Sequence, residues 1–279
     1  MPQVAVIGGG TMGVGIAHRF GAAGWDVTLL DVDDEAAAAA VDRVHASYDR
    51  ARERGKLSEE AALAARSRIS PLGSLATLDP GIDLIVESVF EDEILKRSVL
   101  AEAERREPVV LASNTSGISI DALATDLASP ERFAGMHFFN PVWAIHLVEV
   151  IRGAATSAAT LETIQSVVTD LGMESAVVND APGFASTRLG ITLGLEAIRM
   201  VEDGVAAPED IDRAMELGYR HPMGPLRTGD LVGLDVRLAI AEHLSAVYGA
   251  RFAPPQLLRD MVQDGKLGKK TGKGFYTWE

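Results

Sequence analysis

The chain contains no cysteine among its 279 residues. Disulfide bonds, thiolate nucleophiles and cysteine metal sites are therefore excluded, and the composition is compatible with a reducing compartment. Basic residues are scarce: 26 Lys and Arg stand against 40 Asp and Glu, which gives a formal net charge of −14. This charge argues against nucleic acid or an anionic membrane as a partner. An anionic ligand would need a local cluster of basic side chains.

Long apolar runs are also missing. None approaches the roughly 20 residues that are needed to span a bilayer. The first predicted strand begins within three residues of Met1, which leaves no room for a signal peptide. We therefore expect a cytoplasmic protein with no membrane partner. Hydrophobic residues make up 47% of the chain, which is ample for a core.

A glycine-rich turn directly follows the apolar strand pattern of residues 4–7, and a helical pattern begins after it. In this context Gly8 permits a tight turn, and Gly10 lets a pyrophosphate approach the backbone. Gly13 lets the helix pack close to the strand. The helix N-terminus at Thr11 offers backbone N–H groups to the phosphates. The pattern predicts a dinucleotide-binding site.

The second predicted strand, residues 27–30, is followed by Asp31. A carboxylate at this position accepts hydrogen bonds from the ribose hydroxyls of NAD and repels the 2′-phosphate of NADP. FAD is bound by the same glycine pattern, so the choice of NAD needs support from the rest of the chain.

Two further buried strands are predicted at residues 82–86 and 108–112, and the second ends in the polar run 113–117. Ligands of open parallel sheets collect at the carboxyl ends of the strands, so Asn114 and Ser116 are expected to border the cofactor. The alternative is a plain turn with a helix cap, since Ser and Asn favour caps.

A histidine and a glutamate interrupt the apolar strand patterns 133–139 and 147–151. A lone histidine there is more often a satisfied core residue than a catalyst. A carboxylate inside a buried strand is costly without a partner, however, and two strands of one sheet would bring Glu149 to His137. The carboxylate would fix the imidazole tautomer and make the other ring nitrogen a usable general base.

Basic residues gather in the helical stretch 34–69, at Arg50, Arg52, Arg54 and Lys56. One interpretation is a solvated helix face, mixed with nearby acidic residues. The other is an anchor for a substrate that carries phosphate.

Strand–helix alternation stops at residues 180–184, where Pro and Gly break the pattern, and residues 186–250 are helical in character. We predict an α/β fold, with a Rossmann-like N-terminal domain over residues 1–182. An all-helical C-terminal domain follows over residues 183–279.

The chain resembles the 3-hydroxyacyl-CoA dehydrogenase family, in its short stand-alone form, over essentially its whole length. The motifs that carry the resemblance are VIGGGTMGVGIA, ASNTSGISI, HFFNPVWAIHLVEVIRG, APGFASTRL, GYRHPMGP with GDLVGLD, and LGKKTGKGFY. HFFNP followed by LVEV is the most specific. The resemblance implies NAD-dependent oxidation of (S)-3-hydroxyacyl-CoA to 3-ketoacyl-CoA by a homodimer joined through its C-terminal domain.

The family's functional positions can be transferred residue by residue. His137 falls on the catalytic base, Glu149 on its partner and Ser116 on the serine that contacts substrate and nicotinamide. No metal is implied, because the cofactor carries the hydride. The positions expected to bind NAD are Gly8, Gly10, Thr11, Met12, Gly13, Asp31, Glu91, Lys96, Asn114, Ser116, Asn140 and Lys270. The positions expected to bind CoA are Ser47 and Arg54, to which the basic cluster adds Lys56.

The chain departs from the family pattern at Thr187, where the family usually has a catalytic asparagine, and at Trp143 and Ile145. We expect Thr187 near the start of the first helix of the second domain. Its hydroxyl either serves the reaction in place of the amide or caps that helix.

Two rival functions remain open at this point. One is a related dehydrogenase of a free hydroxy acid, such as L-gulonate or carnitine, which would not need the basic cluster. The other is a non-catalytic NAD-binding protein, and only Thr187 favours it.

Overall fold

The structure, a computed structural model, describes residues 1–278. Its strands are β1 Gln3–Ile7, β2 Asp26–Leu30, β3 Ile69–Leu72, β4 Leu84–Glu87, β5 Val110–Ser113, β6 Phe133–Phe138, β7 Leu147–Arg152 and β8 Glu174–Asn179. The chain divides into two compact units, Met1–Ala181 and Pro182–Glu279. All eight strands lie in the first unit.

Helices account for most of the remaining chain. The α-helices are α1 Thr11–Ala22, α2 Asp34–Glu53, α3 Glu59–Arg66, α4 Glu93–Glu104, α5 Ile120–Leu123, α6 Ala158–Asp170, α7 Ser186–Glu202, α8 Pro208–Gly218, α9 Pro225–Val232, α10 Leu234–Tyr248 and α11 Gln256–Gln263. Single 3₁₀ turns lie at Leu75–Thr77, Ala124–Asp126, Pro130–Arg132, Ala250–Phe252 and Lys269–Thr271. Among the described residues, no helix has both the length and the apolar character needed to cross a bilayer.

The eight strands form one sheet in the order β3-β2-β1-β4-β5-β6-β7-β8. Neighbouring strands are parallel except β6 and β7, which are antiparallel. The chain moves outward from β1 in both directions, so the strand order reverses between β1 and β4. A crevice at the carboxyl ends of these two strands is where such sheets bind ligands. The predicted α/β fold with a Rossmann-like first domain and a helical second domain is confirmed.

Strand β3 was not predicted, because its sequence contains Pro71 and the whole stretch 34–69 has a helical composition. Proline lacks the N–H that an interior strand needs, so its presence argues against a strand. The structure resolves this conflict by placing β3 at the edge of the sheet, where Pro71 pairs with Leu29 of β2.

Helix starts follow from capping side chains that the sequence displays. Asp33 accepts a hydrogen bond from the Ala36 N–H at the start of α2, and Ser58 accepts one from the Ala61 N–H at the start of α3. These bonds satisfy N–H groups that have no partner inside the helix. Gly55, between the two helices, has a φ of +67°, which glycine adopts without strain.

A buried histidine joins α1 to α2. His18 Nδ1 lies 2.5 Å from Ser47 Oγ, and this hydroxyl donates its proton to the Val44 carbonyl oxygen at 2.7 Å. The imidazole must therefore donate from Nδ1. Its ring stacks on Tyr48 with the centroids 4.2 Å apart, and the Tyr48 hydroxyl donates to the His18 carbonyl oxygen. Burial, with smaller contributions from the nearby positive charges of Arg19 and Arg50, lowers the pKa of His18 from 6.5 to about 4.

This lowered pKa predicts acid sensitivity. Above pH 6.5 His18 is neutral in both the folded and the unfolded chain, but between pH 6.5 and about 4 only the unfolded chain takes up the proton. Urea unfolding should show that His18→Gln loses less stability than the parent on acidification from pH 7 to 4, by up to about 3 kcal/mol. The exposed His146, changed to Gln, serves as the control. Equal losses in the parent and His18→Gln would contradict the assignment.

Candidate active site

The glycine turn after β1 has the shape that a pyrophosphate requires. Gly8 has a φ of +103°, and a Cβ there would lie 2.6 Å from the Ser88 carbonyl oxygen. A Cβ on Gly13 would collide with the Gly8 carbonyl oxygen, whereas a Cβ on Gly10 would have no neighbour within 4 Å. Helix α1 begins at Thr11, and no side chain caps it. The first turn of α1 therefore presents N–H groups and open backbone to a phosphate.

Asp31 follows β2 and forms one wall of the same site. Its Oδ2 accepts a hydrogen bond from the Gly9 N–H at 3.0 Å, and its Oδ1 accepts one from the Val32 N–H at 2.8 Å. The carboxylate is thereby fixed beside the glycine turn, where a dinucleotide places its adenosine ribose.

One cavity of about 1260 Å³ runs along the carboxyl ends of β1, β2, β4, β5 and β6. This volume exceeds the range of roughly 300–1,000 Å³ that is usual for small ligands, as suits a dinucleotide. Its lining includes the following residues that the sequence predicted: Gly8, Gly10, Thr11, Met12, Asp31, Glu91, Asn114, Ser116, His137 and Asn140. Asn114 and Ser116, from the polar run after β5, line this cavity, and their contact with a cofactor stays a prediction.

A network of buried ions supports the polar run. Glu87, at the end of β4, is fully buried; its Oε1 accepts from Lys96 Nζ at 2.8 Å and its Oε2 from Ser113 Oγ at 2.6 Å. Lys96 is only 1% exposed and also lies 3.4 Å from Glu91 Oε2. The Lys96 ammonium thus holds two carboxylates, and the contact of Lys96 with NAD stays a prediction.

Glu91 in turn fixes the loop that carries Ser116. Glu91 Oε1 accepts hydrogen bonds from Thr115 Oγ1 at 2.7 Å, the Ser116 N–H at 2.9 Å and Ser116 Oγ at 3.2 Å. Desolvation alone would raise the pKa of Glu91, but the Thr115 hydrogen bond and the Lys96 charge outweigh it and lower the pKa. The carboxylate stays ionised and holds the Ser116 hydroxyl at the cavity wall.

His137 and Glu149 are brought together by the antiparallel pairing of β6 and β7, in which they are directly opposite each other. His137 Nδ1 lies 2.9 Å from Glu149 Oε2, and the two residues are 7% and 1% exposed. The pairing that the sequence predicted is confirmed. A carboxylate on Nδ1 keeps the proton there and directs Nε2 to a substrate.

Other predicted positions of the first unit do not line this cavity. Ser47 is buried, and its hydroxyl serves His18, so its contact with CoA stays a prediction. Arg54 and Lys56 are exposed beyond the end of α2. In the helical unit Lys270 pairs with Asp235, Nζ to Oδ2 at 2.6 Å.

Thr187 is the second residue of α7, as the sequence predicted. The alternative that it caps this helix is wrong, because the N-cap residue is Ala185. A catalytic role for Thr187 remains a prediction.

Two contacts were not predicted from the sequence: the buried ion pair of Glu87 with Lys96, and the hydrogen bond from Arg43 Nη2 to the Gly9 carbonyl oxygen. Glu87 carries the same signal that identified Glu149, a carboxylate in a buried strand pattern, which is costly without a partner. Arg43 stands among exposed residues of α2, and no local pattern relates its guanidinium to the glycine turn.

The cavity combines a glycine turn suited to a pyrophosphate, a carboxylate at the position of the adenosine ribose, and an imidazole held by a carboxylate. This combination suits the transfer of hydride from an alcohol to a dinucleotide. These features place the protein among the nicotinamide-dinucleotide-dependent dehydrogenases. The sequence model of the 3-hydroxyacyl-CoA dehydrogenase NAD-binding domain matches residues 3–181, and that of the C-terminal domain of the same enzymes matches residues 183–278. The chain belongs to the 3-hydroxyacyl-CoA dehydrogenase family and is an NAD-dependent oxidoreductase.

Individual relatives agree with this membership. The chain is 41% identical to a probable 3-hydroxybutyryl-CoA dehydrogenase of Bacillus subtilis, over 99% of this chain and 97% of the relative. It is also 41% identical to a 3-hydroxybutyryl-CoA dehydrogenase of Mycobacterium tuberculosis, over 99% and 98%. The crystal structure of an (S)-3-hydroxybutyryl-CoA dehydrogenase from Ralstonia eutropha matches with a TM-score of 0.94 and 38% identity, covering 100% of this chain and 99% of that one.

The geometry of the pair predicts unequal effects of two substitutions. His137→Gln removes the base and should lower kcat by roughly 10²–10⁴-fold. Glu149→Gln should lower kcat less, because the amide oxygen still accepts the Nδ1 hydrogen bond but no longer stabilises the imidazolium. Steady-state kinetics measure both, and the exposed His243, changed to Gln, is the control. NADH affinity should be unchanged in all three variants. Near-normal turnover of His137→Gln would refute the base assignment.

Proposed function

We propose that the protein catalyses the reversible oxidation of (S)-3-hydroxyacyl-CoA to 3-ketoacyl-CoA, with 3-hydroxybutyryl-CoA as a substrate. The observation that carries the proposal is the buried His137–Glu149 pair at the wall of a dinucleotide-sized cavity. The glycine turn and Asp31 would hold NAD, which when bound accepts the hydride from C3 of the substrate.

The proton of the 3-hydroxyl goes to His137. Glu149 accepts the Nδ1–H, so Nε2 is the ring atom that takes this proton, and Glu149 stabilises the resulting imidazolium. Ser116 turns its hydroxyl proton from Glu91 to the reacting oxygen, because a hydroxyl has a single proton to donate. Glu91 keeps the loop in place through the hydrogen bond that it accepts from the Ser116 N–H. In the reverse direction the imidazolium returns its proton to the keto oxygen as the hydride arrives at C3.

A spectrophotometric assay tests this function most simply. The purified chain should oxidise NADH when acetoacetyl-CoA is added and should leave free acetoacetate, L-gulonate and carnitine unchanged. Oxidation or reduction of a free acid in place of the thioester would favour the related hydroxy-acid dehydrogenases. NADH binding without any turnover would favour a non-catalytic protein.

We also propose that the enzyme is a cytoplasmic homodimer joined through its helical unit. Support comes from apolar side chains that this unit exposes: Leu189 is 70%, Leu217 76% and Tyr219 76% exposed. Where such exposed apolar side chains lie together, they are typical of association surfaces. Light scattering on the purified chain should give twice the monomer mass.

The basic cluster at the end of α2 is proposed to anchor the phosphates of CoA. Two acidic residues, Asp49 and Glu53, stand beside this cluster in the sequence, and Asp49 is bonded to Arg66 at 2.8 Å. Arg50, Arg52, Arg54 and Lys56 have no carboxylate partner among residues 1–278. Unneutralised cations in a chain of net charge −14 are suited to an anion.

This anchor predicts a KM effect. The double variant Arg54→Ala with Lys56→Ala should raise the KM for acetoacetyl-CoA severalfold and make KM less sensitive to salt, with little change in kcat, since exposed charge pairs are screened. The matched control removes two cations from the helical unit, Arg213 and Lys266. An unchanged KM in the double variant would show that the cluster is only a solvated helix face.

Thr187 is proposed to donate a hydrogen bond in the transition state from the position where the family usually has asparagine. Its loss in Thr187→Val should lower kcat/KM at least severalfold and up to about a hundredfold. Thr187→Asn should retain activity. Thr192 lies further along α7, and its hydroxyl donates a hydrogen bond to the Arg188 carbonyl oxygen. Thr192→Val is therefore the control for the loss of a hydroxyl from this helix. Full activity of Thr187→Val would make this position structural.

A further inference from the structure

Arg43 reaches the glycine turn from helix α2. Its Nη2 donates a hydrogen bond to the Gly9 carbonyl oxygen. Ala40, one turn earlier on the same helix face, packs so closely that a Cβ on Gly9 would lie 2.5 Å from the Ala40 Cβ. The same hypothetical Cβ would lie 2.6 Å from Asp31 Oδ2. Gly9 is thus enclosed by Ala40, Asp31 and the Arg43 guanidinium.

This guanidinium carries a positive charge that the protein does not neutralise. No carboxylate oxygen of residues 1–278 lies within the 4.0 Å of an ion pair to Arg43, and both Asp31 oxygens already accept backbone N–H groups. The other arginine of the cavity wall, Arg105, is paired with Glu102 at 3.0 Å. A guanidinium has five N–H donors, and the Gly9 carbonyl occupies one of them.

The position of Arg43 relates it to the adenosine ribose. Asp31 stands where the ribose hydroxyls of NAD are bound, and an arginine beside that position is what accommodates a 2′-phosphate in NADP enzymes. Asp31 and Arg43 both contact Gly9, one at its N–H and the other at its carbonyl oxygen, and both line the cavity. The site therefore contains a cation without a carboxylate partner among residues 1–278, next to the carboxylate that would repel a 2′-phosphate.

We propose that Arg43 forms a latent 2′-phosphate site, so that Asp31 alone keeps the enzyme from binding NADP(H). With Asp31 intact, carboxylate repulsion dominates and NADH is preferred. With Asp31 replaced by a small neutral residue, Arg43 binds the 2′-phosphate through charge-assisted hydrogen bonds. Arg43 is then the determinant of NADPH affinity, while NADH, which lacks this phosphate, depends on it little.

Calorimetric titration with NADH and NADPH tests the proposal without any acyl-CoA, so its outcome is independent of the dehydrogenase assay. Four proteins are compared: the parent, Asp31→Ser, Arg43→Met, and the double variant. Asp31→Ser should bind NADPH at least about tenfold more tightly than the parent. Adding Arg43→Met should reverse this gain by about tenfold and shift the Kd for NADH less than about threefold. Arg213→Met, combined with Asp31→Ser, controls for the loss of one charge.

Two results would overturn the proposal. In the first, the double variant binds NADPH as tightly as Asp31→Ser, which would place Arg43 outside the site. In the second, Arg43→Met weakens NADH and NADPH equally, which would assign the guanidinium to the part that both dinucleotides share. An NADH affinity of the double variant equal to that of Asp31→Ser shows that its cofactor site has folded. The salt dependence of NADPH binding should be steeper in Asp31→Ser than in the double variant.

Discussion

The hydrogen bond between His137 and Glu149 is the interaction on which the proposed chemistry of this protein depends. A carboxylate buried in the middle of a strand is stable only with a partner. The antiparallel pairing of β6 with β7 places His137 directly opposite Glu149 and so provides this partner. A shift of one residue in this register would turn one of the two side chains to the opposite face of the sheet. The pairing therefore couples the position of the base to the correct assembly of the whole sheet.

The same constraint organises the rest of the cavity wall. Glu87 ends β4 as a buried carboxylate and is satisfied by Lys96 and Ser113. Lys96 also approaches Glu91, which fixes Ser116. Some basic side chains of this acidic protein thus have specific local partners or positions. The buried Lys96 holds carboxylates in place, while the exposed cations Arg43 and those at the end of α2 are the ones proposed to bind the anions of ligands.

Most of the fold and much of the site could be predicted from the sequence, because the signals are local. The glycine turn, Asp31 and the two interrupted strands each show their function within a few residues. What was missed depends on contacts between distant segments. The sheet accepts Pro71 in strand β3 only because this strand lies at the sheet edge. Arg43 donates a hydrogen bond to the carbonyl oxygen of Gly9, a residue 34 positions away in the sequence. The contact of Lys96 with the cofactor stays a prediction, and the burial of its ammonium between the Glu87 and Glu91 carboxylates is something that a local motif does not reveal.

In the proposed reaction His137 removes the hydroxyl proton while hydride leaves C3 for NAD. (S)-3-Hydroxybutyryl-CoA that carries deuterium at C3, with mass analysis of the nicotinamide product, tests both transfers at once. The parent should form NADH containing the deuterium, and His137→Gln should form it far more slowly. NADH without deuterium, or equal rates from the two proteins, would contradict this mechanism.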